Sequence, residues 1–198
     1  MAAVGAVAGV LAKLADGPWP VWVSDLADRP GLWVLALALI GARAPRRSEA
    51  AGWSATAFTA MCAAYYTWSA AVLGFGVGRY PLAWIGLALT VVPVLAVAVN
   101  WAVGRSGWLP GLVLAAVAGL ALSDGSLQQL WLQARGHLPP GFPLHPVQAA
   151  LNVLIAGVIL VLLPRHLRTR TWGLALVVPA TLLVTFLVDR AQGLIGRL

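Results

Sequence analysis

The sequence is short of most of the groups that carry chemistry. It has one cysteine, Cys62, and three histidines in 198 residues, so an intramolecular disulfide and a cysteine metal cage are both excluded. Cys62 lies in an apolar segment and reads as a small buried hydrophobe. His137 and His145 stand in a proline-rich stretch without the i,i+4 spacing of a helical zinc pair, and His166 stands in a basic one. Aspartate and glutamate together number six against 13 lysines and arginines. Only Asp25 and Asp28 are three apart, which is not the acidic cluster that holds magnesium on a diphosphate. There is no HExxH, no GxSxG and no glycine loop of the phosphate-cradling kind. Neither a cofactor nor a metal is therefore expected.

What the chain has in abundance is apolar length. It is 61% hydrophobic and 10% charged, with a mean hydropathy of +0.87, a composition of the membrane class. The formal charge of +7 could point to nucleic acid. The arginines, however, lie in short runs between apolar segments, at Arg43 to Arg47, at Arg105 and at Arg165 to Arg170. Positive-inside topology accounts for that pattern, so the expected partner is a lipid bilayer and not nucleic acid.

The predicted fold is an all-α, polytopic membrane helical bundle of about seven transmembrane helices, six if the first does not cross. A single integral membrane domain over 1–198 is expected, with spans near 2–16, 31–42, 51–74, 81–103, 108–133, 147–163 and 172–189. The first is short, and its Gly5 and Gly9 form a GxxxG pair suited to close helix contact. Pro93 should kink the fourth span. Ser123-Asp124-Gly125-Ser126 offers a break in the fifth. The basic runs follow the second, fourth and sixth spans and so fall on one side, which should be cytoplasmic; the implied location is a cell membrane.

Half of the six acids lie between Leu11 and Pro30, where Lys13 with Asp16 and Asp25 with Arg29 are spaced to neutralise each other. The topology places this stretch at the outer side. There it meets a layer. At a rise of about 1.5 Å per residue, Asp16, Tyr66, Asp124 and Asp189 would all lie roughly 22 to 26 Å from the cytoplasmic boundary. Trp84, Gln148 and Asn152 enter the same depth from helices that run the other way. Asp16, Tyr66, Trp84, Asp124, Asn152 and Asp189 are therefore the candidate ligand-binding residues of an outward polar and aromatic pocket. Against this, acids at equal depth also arise because helices end where charge becomes tolerable.

The order Gly9-Val10-Leu11-Ala12-Lys13-Leu14-Ala15-Asp16, Gly31-Leu32-Trp33, Tyr65-Tyr66, Trp84-Ile85-Gly86-Leu87 with Thr90 and Pro93, and Trp101-Ala102-Val103-Gly104 resembles an uncharacterised family of small multi-pass membrane proteins of actinobacteria and Firmicutes. The resemblance covers about the first 125 residues and implies a bacterial membrane protein without an assigned activity. A looser similarity, of architecture alone, is to the substrate-binding components of energy-coupling-factor vitamin transporters.

Three functions follow as expectations. The first is a substrate-binding or transport component that takes a small cationic or aromatic solute from the outer side. The second is an intramembrane enzyme acting on a lipid or isoprenoid, which needs two facing acids. The third is an accessory structural subunit, or a homo-oligomer, whose small-residue helix faces pack on a partner in the membrane.

Overall fold

The computed structural model describes residues 1–15, 23, 30–74 and 80–195, and among them every regular element is helical. The helices are α1 (Ala2–Ala15), α2 (Pro30–Arg43), α3 (Arg47–Ala71), α4 (Tyr80–Leu89), α5 (Val91–Val103), α6 (Trp108–Leu122), α7 (Ser126–Ala134), α8 (Pro146–Gly157), which runs on into a π-helical turn (Val158–Leu162), and α9 (Leu167–Ile195). They group into two compact units. One comprises Met1–Asp28 and Ala36–Trp101, the other Arg29–Leu35 and Ala102–Leu198.

The first unit is built on α1 against α3. Gly5, Gly9 and Ala12 form the buried stripe of α1. A Cβ at Gly5 would run into the Ala57 carbonyl, and one at Gly9 into the Met61 carbonyl. Hydrogen in place of a side chain is what lets the two backbones come so close. The two contacts advance by four residues on both helices, so α1 and α3 are parallel. The same register brings Lys13 level with Tyr65: its Nζ lies 3.4 Å from the phenolic oxygen and 4.9 Å from the ring centroid, a cation–π geometry.

In the same unit the later turns of α2 pack on α5. A Cβ at Gly41 would come within 2.6 Å of the Ala96 carbonyl oxygen. Asn100 Nδ2 donates to the carbonyls of Gly41 at 2.9 Å and Ala44 at 2.7 Å. It thereby satisfies two acceptors that the end of α2 would otherwise leave open. Between α4 and α5 the helix is interrupted at Thr90, as Pro93 requires: proline has no N–H for the Leu89 carbonyl, and its ring displaces that carbonyl. Thr90 Oγ1 donates back to Gly86 O at 2.7 Å. The break is mild enough that Pro81–Val103 still forms a single 23-residue apolar stretch.

The second unit is built on α6 against α9. A Cβ at Gly111 would lie 2.7 Å from Trp172 Cβ, and one at Gly119 3.0 Å from Thr181 Cα. This pair too is parallel, since the partner numbers rise together. At its head Thr169 is fully buried; its Oγ1 donates to Arg105 O at 2.6 Å and accepts from Gly107 N at 3.3 Å. Arg165 N donates to Val103 O at 3.1 Å. The basic segments at Arg105 and at Arg165 to Arg170 are thus stitched together at one end of this helix pair.

The helices meet the expected spans unequally. Among the described residues two helical stretches are long and apolar enough to cross a membrane, Pro81–Val103 and Leu167–Arg190, or three if α6 and α7 count as one bent span. This is compatible with a membrane protein. The expected span at 51–74 has the length, since α3 runs over 25 residues. Ser54, Thr56, Thr59, Thr67 and Ser69 dilute its hydropathy, and it is not among the apolar spans. Helices α1 and α2 have 14 residues each, short of the roughly 20 that a hydrocarbon core requires. The stretch expected at 147–163 is a shorter apolar helix, Pro146–Leu162. The expected fifth span over 108–133 does not continue straight: α6 and α7 meet at 66°.

Seam packing predicts an asymmetry between glycines. Gly9→Ala should destabilise the protein by about 1–3 kcal/mol through backbone overlap. Gly52→Ala, in α3 where a Cβ meets nothing within 4 Å, should be neutral or stabilise by up to about 1 kcal/mol. Thermal unfolding in detergent, followed by tryptophan fluorescence, measures both.

Candidate functional site

The break between α6 and α7 positions the most developed polar cluster among the described residues. Helix α6 stops at Leu122, and Gly125 takes a left-handed backbone at φ 81°, which glycine adopts without steric cost. The turn aims Asp124 at the start of α7. Its Oδ1 accepts from the backbone N–H of Ser126 at 3.0 Å and from Ser126 Oγ at 2.7 Å, an Asx-turn contact across Gly125, the residue that stands at the head of the helix.

From this anchor a directional relay runs into α8. The Ser126 hydroxyl has one hydrogen to give, and it goes to Asp124 Oδ1. Ser126 Oγ is then left to accept, and Asn152 Nδ2 stands 3.5 Å away. That turns Asn152 Oδ1 to the other side, where it accepts from Gln148 Nε2 at 2.8 Å. Ser126 and Asn152 are fully buried and Gln148 is 1% exposed. The relay therefore ends on Gln148 Oε1, a buried acceptor with no hydrogen-bond partner. Gln129 Oε1, one turn into α7, is also buried without one. Leaving such an acceptor dry costs about 1–3 kcal/mol. Within this unit the first turn of α2 closes on the same place. A Cβ at Gly31 would collide with Asn152 Oδ1 and stand 3.3 Å from Gln148 Nε2.

With this geometry in hand, the comparisons add one fact. A family model matches residues 1–194 of the chain. The chain belongs to DUF6518, a family of unknown function. No curated protein and no solved structure matches it.

In this DUF6518 chain the described residues predicted from sequence fall in both units. Asp124 and Asn152 come together through Ser126, buried in the second unit and not lining an open pocket. Asp189, on α9 of the same unit, is exposed beside Arg190 and takes no part in the relay. In the first unit Tyr66 lines an open, mainly apolar cavity of about 550 Å³ with Cys62, Thr67, Pro81 and Ile85. Its ring meets that of Tyr65 edge-on at 5.2 Å. Trp84 is 54% exposed and does not line that cavity. Asp16, and with it the expected Lys13–Asp16 and Asp25–Arg29 pairs, lies outside the described residues. Among the described residues no group of three metal-ligating side chains occurs.

Sequence reasoning placed Gln148 in the layer but missed Ser126, which joins the carboxylate to the amides. The signal was present: Asp-Gly-Ser before Leu127 is an Asx-turn pattern at a helix start, which implies a hydrogen bond between the acid and the serine two residues on. Ser126→Ala should cost about 1–3 kcal/mol, because Asn152 loses its acceptor in a dry site. Ser123→Ala removes only a bond to Leu120 O and should cost less than about 1 kcal/mol. Chemical or thermal unfolding of the two variants tests the relay.

Proposed function

We propose that the chain is a membrane-embedded substrate-binding or transport component whose site is the Asp124–Ser126–Asn152–Gln148 relay. The solute is small and presents a hydrogen-bond donor, such as an ammonium or amide group. One observation carries this reading: the relay is polarised from a carboxylate outward and ends on Gln148 Oε1, a buried acceptor in need of a donor. Buried polar groups in an apolar bundle are expensive and are typically functional. A helix broken beside them, as α6 and α7 are, is the usual framework of a binding site in transporters.

The reading includes six or seven passes with the basic segments on the cytoplasmic side of a cell membrane. The parallel pairing of α1 with α3 and of α6 with α9 supports an alternating path, because in each pair the helices are two expected passes apart. The accessory-subunit alternative is weakened on one point. The small-residue faces at Gly5 and Gly9, and at Gly111 and Gly119, are covered within the chain, so a partner would need another surface. An enzyme reading requires a second acid beside Asp124, and Asp189 is not in its relay.

Native mass spectrometry of the purified protein, with thermal-shift titration against alkylammonium and guanidinium salts, tests the proposal. A bound solute or a saturable stabilisation is expected in the wild type. Gln148→Met and Asp124→Asn should lose it by tenfold or more, while Tyr66→Phe retains it. The reading fails if the wild type carries and binds nothing and Gln148→Met is the more stable protein, since the unpaired acceptor would then be only a burden.

A further inference from the structure

We infer that α7 is not the outer half of a span but an interfacial helix that lies along the lipid boundary, with the acyl-chain and headgroup region of a bilayer as its partner. This rests on membrane embedding of the second unit and not on the solute site. The first reason is the bend. Nine residues of helix are about 14 Å long, and at 66° to α6 they advance only about 5 Å along its axis. A helix so inclined adds little to a crossing and lies mostly across it.

The second reason is the level at which the bend falls. Helix α9 presents an exposed apolar band, including Val178, Leu182, Leu183 and Phe186. Trp172 bounds the band at one end, and at the other stands Asp189, followed by Arg190, whose guanidinium lies 5.0 Å from the Phe186 ring. From Trp172 to Asp189 is about 26 Å of helix, close to a hydrocarbon core of about 30 Å. The seam pairs Gly111 with Trp172 and Gly119 with Thr181, so Leu122 is level with about Val184. Helix α7 therefore leaves α6 within about two turns of the boundary that Asp189 marks.

The third reason is its two faces. Ser126 and the Oε1 of Gln129 are buried, whereas Leu127 at 36% and Trp131 at 54% exposure share the outward face at i,i+4 spacing. Arg135 caps this face with its guanidinium 4.6 Å from the Trp131 ring. An exposed leucine, an exposed tryptophan and a stacked arginine beside Gln128 and Gln133 match the chemistry of the interface, where apolar rings meet phosphates and water.

The test uses the full chain with Cys62→Ala, reconstituted in vesicles of phosphatidylcholine and phosphatidylglycerol and carrying one spin label at a time. Labels are placed through Leu127→Cys, Gln128→Cys, Trp131→Cys, Gln133→Cys and, as a depth reference, Leu182→Cys. Collision with oxygen and with a nickel chelate is compared. Labels at 127 and 131 should favour oxygen at shallow depth, those at 128 and 133 should favour nickel, and that at 182 should be deep. The inference is overturned if 127 and 131 are as deep as 182, which makes α7 part of a span. It is equally overturned if both are nickel-accessible, or shielded from both reagents as under a protein partner. A nickel-accessible 182 would instead bring down the membrane reading itself.

Discussion

Each unit depends on close approaches of helix backbones, and glycine makes those approaches possible. In a lipid surrounding, leucine gains little by leaving the solvent, because the solvent is as apolar as it is; association has to come from contact density and from backbone groups drawn close. Gly5 and Gly9 bring α1 against the carbonyls of Ala57 and Met61, and Gly111 and Gly119 bring α6 against α9. Because the paired helices are parallel, the chain between them has to return to the starting end: in sequence α2 lies between α1 and α3, and α7 and α8 between α6 and α9. The seams thus determine chain direction as well as packing.

Few polar groups are buried among the described residues, and several of the polar side chains near these seams finish a helix end. Asn100 closes the carbonyls at the end of α2. Thr169 joins the two basic segments at the head of α6 and α9. Asp124 and Ser126 start α7. Buried polar groups of this kind stabilise because the backbone groups they meet would otherwise be dry. Gln148 is different. Its amide completes no helix terminus, and one end of it faces no partner, which is why the functional reading centres there.

Two helix breaks with different chemistry have different consequences. At Thr90 the missing N–H of Pro93 interrupts the ladder, but the threonine hydroxyl returns to Gly86 O and the stretch remains one apolar path. At Ser123 to Gly125 a left-handed glycine and the Asx turn of Asp124 begin a new helix in a new direction. Proline weakens a helix that neighbouring contacts can hold on course; a glycine turn with its own hydrogen bond redirects it.

The amino-acid sequence by itself determined the helical class, the Gly5–Gly9 contact and the interruption ahead of Pro93. These depend on composition, on short spacings or on one residue's covalent geometry, and so they are local. Tertiary structure alone decided that Tyr66 lines a mainly apolar cavity, that Asp124 reaches Asn152 through Ser126, and that α7 turns by 66°. Depth along a helix can be counted from sequence, but rotation about its axis and the identity of the neighbouring helix cannot. Residues placed at one level by their numbers meet only if packing turns them toward each other, and within the second unit packing did so for Asp124 and Asn152 and not for Asp189.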